Sequence, residues 1–138
     1  MGELEALIID TDILINLLRG NKNTKTHLKK LEEEYLPATT VINVFELYYG
    51  AYKSKFRNIN VISTQKLLEN MVVYPLEKES SILAGEILAS LEKEGKPVDI
   101  RDLLIGSIAI THELPILTNN TRHFKRLEKF GLKILPGG

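Results

Sequence analysis

The apolar positions of this chain fall into short runs separated by helical spacings. Ala6 to Ile9 form an unbroken apolar run, the pattern of a short strand buried on both faces. After Asp10, Thr11 and Asp12 the period changes. Ile13, Leu14, Leu17 and Leu18 share a helical face, Gly20 is the expected stop, and Asp12 is the expected N-cap. Residues 24–34 read as a polar, exposed helix and residues 35–39, "YLPAT", as a second strand. Thr40 should cap a helix reaching about Ser54. In it Val41, Val44, Phe45, Tyr48 and Tyr52 make an apolar face, with Asn43, Glu46, Gly50 and Lys53 on the other side. A further helix is expected over 60–71, a strand over 72–76 and a long helix of mixed faces over 78–94. "GKP" at 95–97 breaks the chain. Asp99 should cap a helix over 100–112, with a strand at 114–118, a short helix opened by Asn120 or Thr121, and a last strand at 132–135.

Short apolar strands alternating with helices predict an α/β fold, with a mainly parallel sheet covered on both faces. Ligands in such folds sit at the carboxyl ends of the strands. Asp10 after "LII" and the turn "TNN" after "PIL" would stand at that edge. With 138 residues and no repeat or long linker, one domain spanning 1–138 is expected.

Charge adds little to this picture. Lys plus Arg and Asp plus Glu number 18 each, and residues 1–69 carry nine of each sign, as do residues 70–138. There is no basic or acidic tail, so nucleic-acid binding would have to rest on a local site. The absence of cysteine excludes disulfides, thiolate metal sites and cysteine nucleophiles. The first ten residues lack the pattern of a secretory signal, and the run "LLIGSIAI" at 103–110 is too short to span a bilayer. The expectation is a cytoplasmic protein with no membrane partner.

The candidate chemistry lies in the acids. Taken singly each has a structural reading: Asp10 as a turn former, Asp12 and Asp99 as N-caps, Glu46 as a solvated helix residue, Asp102 as an acid on the first turn of a helix. Asp99 and Asp102 also have capping-box spacing. Taken together, Asp10, Glu46, Asp102 and the "TNN" turn occur in the order strand end, helix, helix start, strand end. Thr118 could donate to a neighbouring carboxylate and fix its rotamer. Clustered carboxylates raise one another's pKa, and a divalent cation relieves the repulsion. Oxygen-only donors favour a hard ion, Mg²⁺ or Mn²⁺ in its place. Such an ion generates a nucleophile from water and shields phosphate charge, which is the chemistry of phosphodiester hydrolysis.

At this point the chain resembles a known family. "LIIDTDILINLLRG", "VFELYYGA", "DLLIGSIAI" and "ILTNNTRHF" together are similar to the PIN-domain nucleases, and within them to the toxin subunit of VapBC toxin–antitoxin systems. The resemblance implies a PIN-like three-layer α/β/α fold with a short, mainly parallel central sheet. It implies a Mg²⁺-dependent endoribonuclease whose catalytic set is Asp10, Glu46, Asp102 and Asn120, with Asp10, Glu46 and Asp102 as metal ligands and Thr118 in support. Asp12 and Asp99 are further candidate ligands. It also implies a homodimer, and a VapB-type antitoxin that plugs the acidic cleft in a larger complex. Three positions depart from the family pattern. Asp12 stands where Asn or Ser is common, and the fourth site is Asn120 rather than Asp, so it adds no charge. Gly106 also replaces a customary Ala. Lys53, Arg122 and His123 are candidate RNA contacts within two basic clusters, 53–57 and 122–126.

Two other readings compete. "IIDTD" resembles the strand-terminal D-x-D of haloacid-dehalogenase-type phosphotransferases, but Ile13 and Leu14 stand where that family prefers Gly and Thr. A PIN-like binding module without turnover is the non-enzymatic rival, favoured by Asn120.

Overall fold

The structure is a computed structural model that describes residues 4–137. Its centre is a five-stranded sheet in the order β3-β2-β1-β4-β5, with every adjacent pair parallel. The strands are β1 (Glu5–Ile9), β2 (Tyr35–Thr40), β3 (Val72–Tyr74), β4 (Ile116–Thr118) and β5 (Ile134–Pro136). Helices α1 (Thr11–Leu18) and α2 (Lys22–Leu31) join β1 to β2; α3 (Val41–Lys53) and α4 (Arg57–Leu68) join β2 to β3. Helices α5 (Lys78–Lys93) and α6 (Ile100–Thr111) lead to β4. The short α7 (Thr121–Phe124) and a 3₁₀ segment, Lys125–Phe130, lead to β5.

The alternation of side chains in the central strands builds two cores. Ala6 and Ile8 of β1 and Ile116 of β4 pack with Ile87, Leu91, Leu103, Ile105, Phe124 and Leu127 on one face. Leu7, Ile9 and Leu117, one residue out of phase, pack with Ile13, Leu14, Leu28 and Leu47 on the other. A strand buried on both sides has no polar phase, which is why 6–9 reads as an unbroken apolar run. The result is the α/β/α sandwich that the pattern predicted.

The chain winds outward from β1 through β2 to β3 on one side and through β4 to β5 on the other. The carboxyl ends of β1 and β4 therefore flank the point where the winding reverses, the place where open α/β sheets form a crevice.

Several expectations shift. Helix α1 starts two residues earlier than predicted: Asp10, not Asp12, is its N-cap, with its side chain accepting from Thr11 N. Helix α2 also begins earlier, capped by Asn21. The larger correction concerns α3. Its buried residues are Asn43, Leu47 and Ala51. Of the expected apolar face, Phe45 is 57% and Tyr52 50% exposed, while Val44 and Tyr48 are half-buried. The 3₁₀ segment was not foreseen.

Gly106 has a visible packing reason. A Cβ on it would overlap Leu127 Cδ1, in the middle of the core shared by α6 and the 3₁₀ segment. Alanine gains about 1 kcal/mol of helix propensity, and overpacking a core costs about 1–3 kcal/mol. Gly106→Ala should therefore destabilise by about 1 kcal/mol, and the cost should vanish in a Leu127→Ala background. Urea denaturation of the double-mutant cycle reads this; additive effects would show that the two sites do not compete for space.

Candidate active site

Asp10 emerges from β1 straight into the N-terminus of α1, and it is 4% exposed. Its Oδ1 accepts from Thr11 N at 2.9 Å and from Asn43 Nδ2 at 3.1 Å. Its Oδ2 accepts from Thr118 Oγ1 at 2.7 Å, across the β1–β4 seam. Thr118 Oγ1 in turn accepts from Asn120 N at 2.9 Å, so one hydroxyl fixes both the Asp10 rotamer and the turn after β4. The proposed role of Thr118 as a donor to a carboxylate has its partner in Asp10.

Glu46 is placed by a second chain of bonds. Thr40 caps α3, and its Oγ1 donates to Asn43 Oδ1 at 2.7 Å. Asn43 Nδ2 also donates to Thr11 Oγ1 at 2.9 Å, and Thr11 Oγ1 donates to Glu46 Oε1 at 2.7 Å. Glu46 Oε2 lies 3.6 Å from Arg101 Nη1. Asn43 is wholly buried and ties β2, α3 and the Asp10 turn together. Asn43→Ala would leave Thr40 and Asp10 short of partners and open a cavity. It should cost about 2 kcal/mol, read as a shift of the urea midpoint with unchanged slope. Wild-type stability would show that water replaces the amide without loss.

Asp99 caps α6, accepting from Arg101 N at 2.9 Å and Asp102 N at 3.4 Å, but Asp102 does not return the bond to complete a capping box. Asp102 is on the first turn, with its Oδ2 3.5 Å from His123 Nδ1. Asp12 is turned to structural work: its Oδ1 accepts from Ile13 N at 2.8 Å and its Oδ2 from Asn119 N at 3.0 Å. Asn120 is exposed at the N-cap of α7 and its side chain makes no capping bond.

The electrostatics single out two carboxyls. Asp10 is pushed up to about 7, first by burial, then by Asp12 and Asp102, while the Thr118 and Thr11 hydrogen bonds pull it down. Asp102 is pushed up to about 6, again first by burial, then by Asp99 and Glu46, with His123 and Arg101 opposing. Desolvation rather than mutual repulsion is the larger cause in both. Asp12 and Asp102 act on Asp10, and Asp99 and Glu46 act on Asp102, so the five acids form one electrostatic chain.

Whether the group fits a cation follows from its donors. They are carboxylate oxygens, the kind a hard divalent ion takes. Among the described residues, however, no three acidic or histidine side chains are drawn together at ligating distance. Glu46 is turned to Thr11 and Arg101, and Asp102 lies within electrostatic reach of Asp10. One or two carboxylates with retained waters is the way Mg²⁺ is usually held. The set fits Mg²⁺ in this sense, and Mn²⁺ by the same chemistry.

Sequence reading missed Thr11, Asn43 and Arg101. Only Asn43 had a local signal, the Thr40-x-x-Asn43 capping-box spacing. The contacts of Thr11 and Arg101 with Glu46 are long-range. His123 was read as part of a basic cluster, and the structure sets it against Asp102. Lys53 lies with its Nζ 5.3 Å from the Tyr49 ring centre, on the aromatic side of α3.

An α/β domain with an acidic, oxygen-donor crevice at the switch point of a parallel sheet is the class that fold and site define. The sequence matches the family model for the PIN domain over residues 7–130. It is 32% identical over 135 residues to a Ribonuclease VapC of Rickettsia bellii, covering 94% of this chain and 96% of that one. It is 32% identical over 132 residues to Ribonuclease VapC1 of Methanocaldococcus jannaschii, covering 96% and 88%. The fold matches a chain of the VapBC2 crystal structure from Rickettsia felis, bound to a DNA fragment from their promoter, with TM-score 0.87 and 26% identity, covering 95% and 98%. The chain belongs to the PIN-domain family, on its VapC branch.

Proposed function

We propose that this chain is a divalent-metal-dependent endoribonuclease and the toxin component of a toxin–antitoxin pair. The observation that carries the reading is the Asp10–Asp102 pair: two carboxyls with raised pKa at the switch-point edge of a chain on the VapC branch. A bound Mg²⁺ or Mn²⁺ would supply an activated water and neutralise charge on the scissile phosphate. Asp10 and Asp102 would hold it, Asp10 with its rotamer locked by Thr118 and Asn43. Glu46, anchored by Thr11 and Arg101, faces the same space and orients water there. Asn120 adds a neutral amide at the rim.

The partner follows from the same family membership. A groove of about 310 Å³ lies between α1, α3 and α4, floored by Leu47, Gly50 and Ala51, with Glu46 among its lining residues. A VapB-type antitoxin filling it would end at the acids. The exposed aromatics of α3 suit a homodimer or that complex, and the cytoplasm is the setting this implies. Among the described residues no helix is long and apolar enough to cross a membrane. Membership of the PIN-domain family removes the haloacid-dehalogenase-type reading.

Water attack in line with the departing 3′-oxygen leaves a 5′-phosphate and a 3′-hydroxyl. RNA fragments made by the protein should therefore be substrates for a 5′-phosphate-dependent exonuclease. Fragments ending in 2′,3′-cyclic phosphate would mean that the ribose hydroxyl attacks, and the proposed role of the carboxylates would fall.

A further inference from the structure

The two basic clusters of the sequence have different surroundings. In the first, Lys53, Lys55 and Arg57 each lie over an aromatic ring, those of Tyr49, Phe56 and Tyr52. In the second, the cations line a cleft. Lys96, Arg122, Lys125, Arg126 and Lys129 supply five of the six residues around a space of about 420 Å³, with Leu91 as the sixth. No acid lines it. Glu94 is nearby but bound to Lys129, both oxygens at 2.7 Å. Arg126 Nη1 donates to Pro97 O. Arg122 and Lys125 make no ion pair with any described residue, and both are exposed.

This cleft shares a wall with the catalytic one. Arg122 and Arg126 also line the neighbouring cleft of about 480 Å³ that holds Asp99, Asp102 and His123. A polyanion with one phosphate at the acids has its next phosphates beside these cations. Guanidinium forks suit phosphate oxygens; Lys96 also reaches Glu94 at 3.8 Å, which leaves Arg122 and Lys125 as the unpaired cations, and a row of cations suits a backbone rather than a single anion.

We propose that the cleft of Lys96, Arg122, Lys125, Arg126 and Lys129 is a phosphate subsite that holds the single-stranded RNA backbone to one side of the scissile bond. This rests on the nuclease reading above. The subsite carries no base recognition, so it sets the direction of the strand and the salt dependence of binding, not the target sequence.

The test is binding of a fluorescein-labelled single-stranded RNA of mixed sequence, by anisotropy, in EDTA, over a range of salt. The double variant Lys96→Gln/Lys125→Gln should bind about tenfold more weakly and lower the slope of log Kd against log salt by about 1.4, two phosphates at about 0.7 each. Lys29→Gln/Lys30→Gln, the same charge change on α2 across the sheet, should keep the wild-type slope. Equal Kd and slope in the two double variants would overturn the subsite. So would displacement of the RNA by polyglutamate but not by polyuridylate, which would assign the cleft to an acidic protein segment. Cleavage of the same RNA by the wild type with Mn²⁺ reads the nuclease reading separately. An altered slope without cleavage upholds the subsite alone; cleavage with an unaltered slope upholds the nuclease alone.

Discussion

Asp10→Asn should lower RNA cleavage by roughly 10³-fold and leave a folded protein that is more stable at pH 8 than the wild type without metal. The loss follows from removing the charge on the one carboxyl that is both buried and locked by three hydrogen bonds. The gain has the opposite origin. Asn is isosteric, so its oxygen can still accept from Thr11 N and Asn43, and its amide can donate to Thr118 Oγ1. It carries no charge to desolvate. The wild-type carboxyl keeps its proton to about 7 in the fold, against 3.8 for the free side chain. Between those values folding takes up protons. The stability linked to this group is complete below pH 3.8 and is lost as pH rises through about 7. Asp102, pushed up to about 6, acts in the same direction. The metal-free wild type should thus lose stability from pH 5 to pH 8, on the order of a few kcal/mol, and Asp10→Asn should flatten that profile. Thermal unfolding at both pH values, beside a cleavage assay, reads both halves. A variant that cuts RNA at the wild-type rate would remove Asp10 from the site. One that unfolds earlier than the wild type at pH 8 would contradict the electrostatic account.

The second large effect is that of the cation. Ionised Asp10 and Asp102 at pH 8 are a binding site, whereas at pH 5 both hold protons that compete with the ion. Mg²⁺ or Mn²⁺ should stabilise the fold at pH 8 by about 2.7 kcal/mol at a hundredfold excess over Kd, read as a rise in the unfolding temperature. The shift should shrink at pH 5, reverse with EDTA and disappear in Asp10→Asn. Calcium, which also prefers oxygen donors but tolerates looser geometry, gives a comparison ion. No shift with Mg²⁺ or Mn²⁺ at pH 8 would mean that the carboxyls serve something other than a metal. The pH dependence of the shift separates a site at these acids from weak binding elsewhere on the surface.

Much of the fold was legible because its signals are local. The apolar run 6–9, the "GKP" break and the caps Thr40 and Asp99 depend on a few neighbouring residues, and those elements stand where the pattern puts them. Helix α3 was misread for a physical reason. Phe45 and Tyr52 of the expected apolar face are exposed, while the buried face runs through Asn43. A rule that sends apolar side chains inward fails where a surface is built to meet another chain, or where a buried polar residue has a full set of partners. The two-residue error at α1 has a similar cause. Asp10 and Asp12 are equally good caps by composition, and the choice is made by Thr118 and Asn43, which come from distant parts of the chain.

The site was legible as a list of acids but not as a network. Asp10, Glu46 and Asp102 announce themselves by standing at the ends of apolar runs or on a largely apolar helix. Which of them face one another is decided by Thr11, Asn43, Arg101 and His123, none of which carries a sequence signal for that contact. Sequence reasoning put Asp10, Glu46 and Asp102 first, with Asp12 and Asp99 as further candidates. The structure divides them: Asp12 and Asp99 accept backbone N–H bonds, Glu46 is held by a hydroxyl and an arginine, and Asp10 and Asp102 have strongly raised pKa values.

The central claim is that the Asp10–Asp102 pair makes this chain a metal-dependent nuclease. It is tested most directly by incubating a mixed RNA pool with the purified protein in Mg²⁺, in Mn²⁺ and in EDTA, beside Asp10→Asn and Asp102→Asn. The account predicts cleavage with either ion, none in EDTA and none in either variant. Cleavage that persists in EDTA, or in both variants, would contradict it.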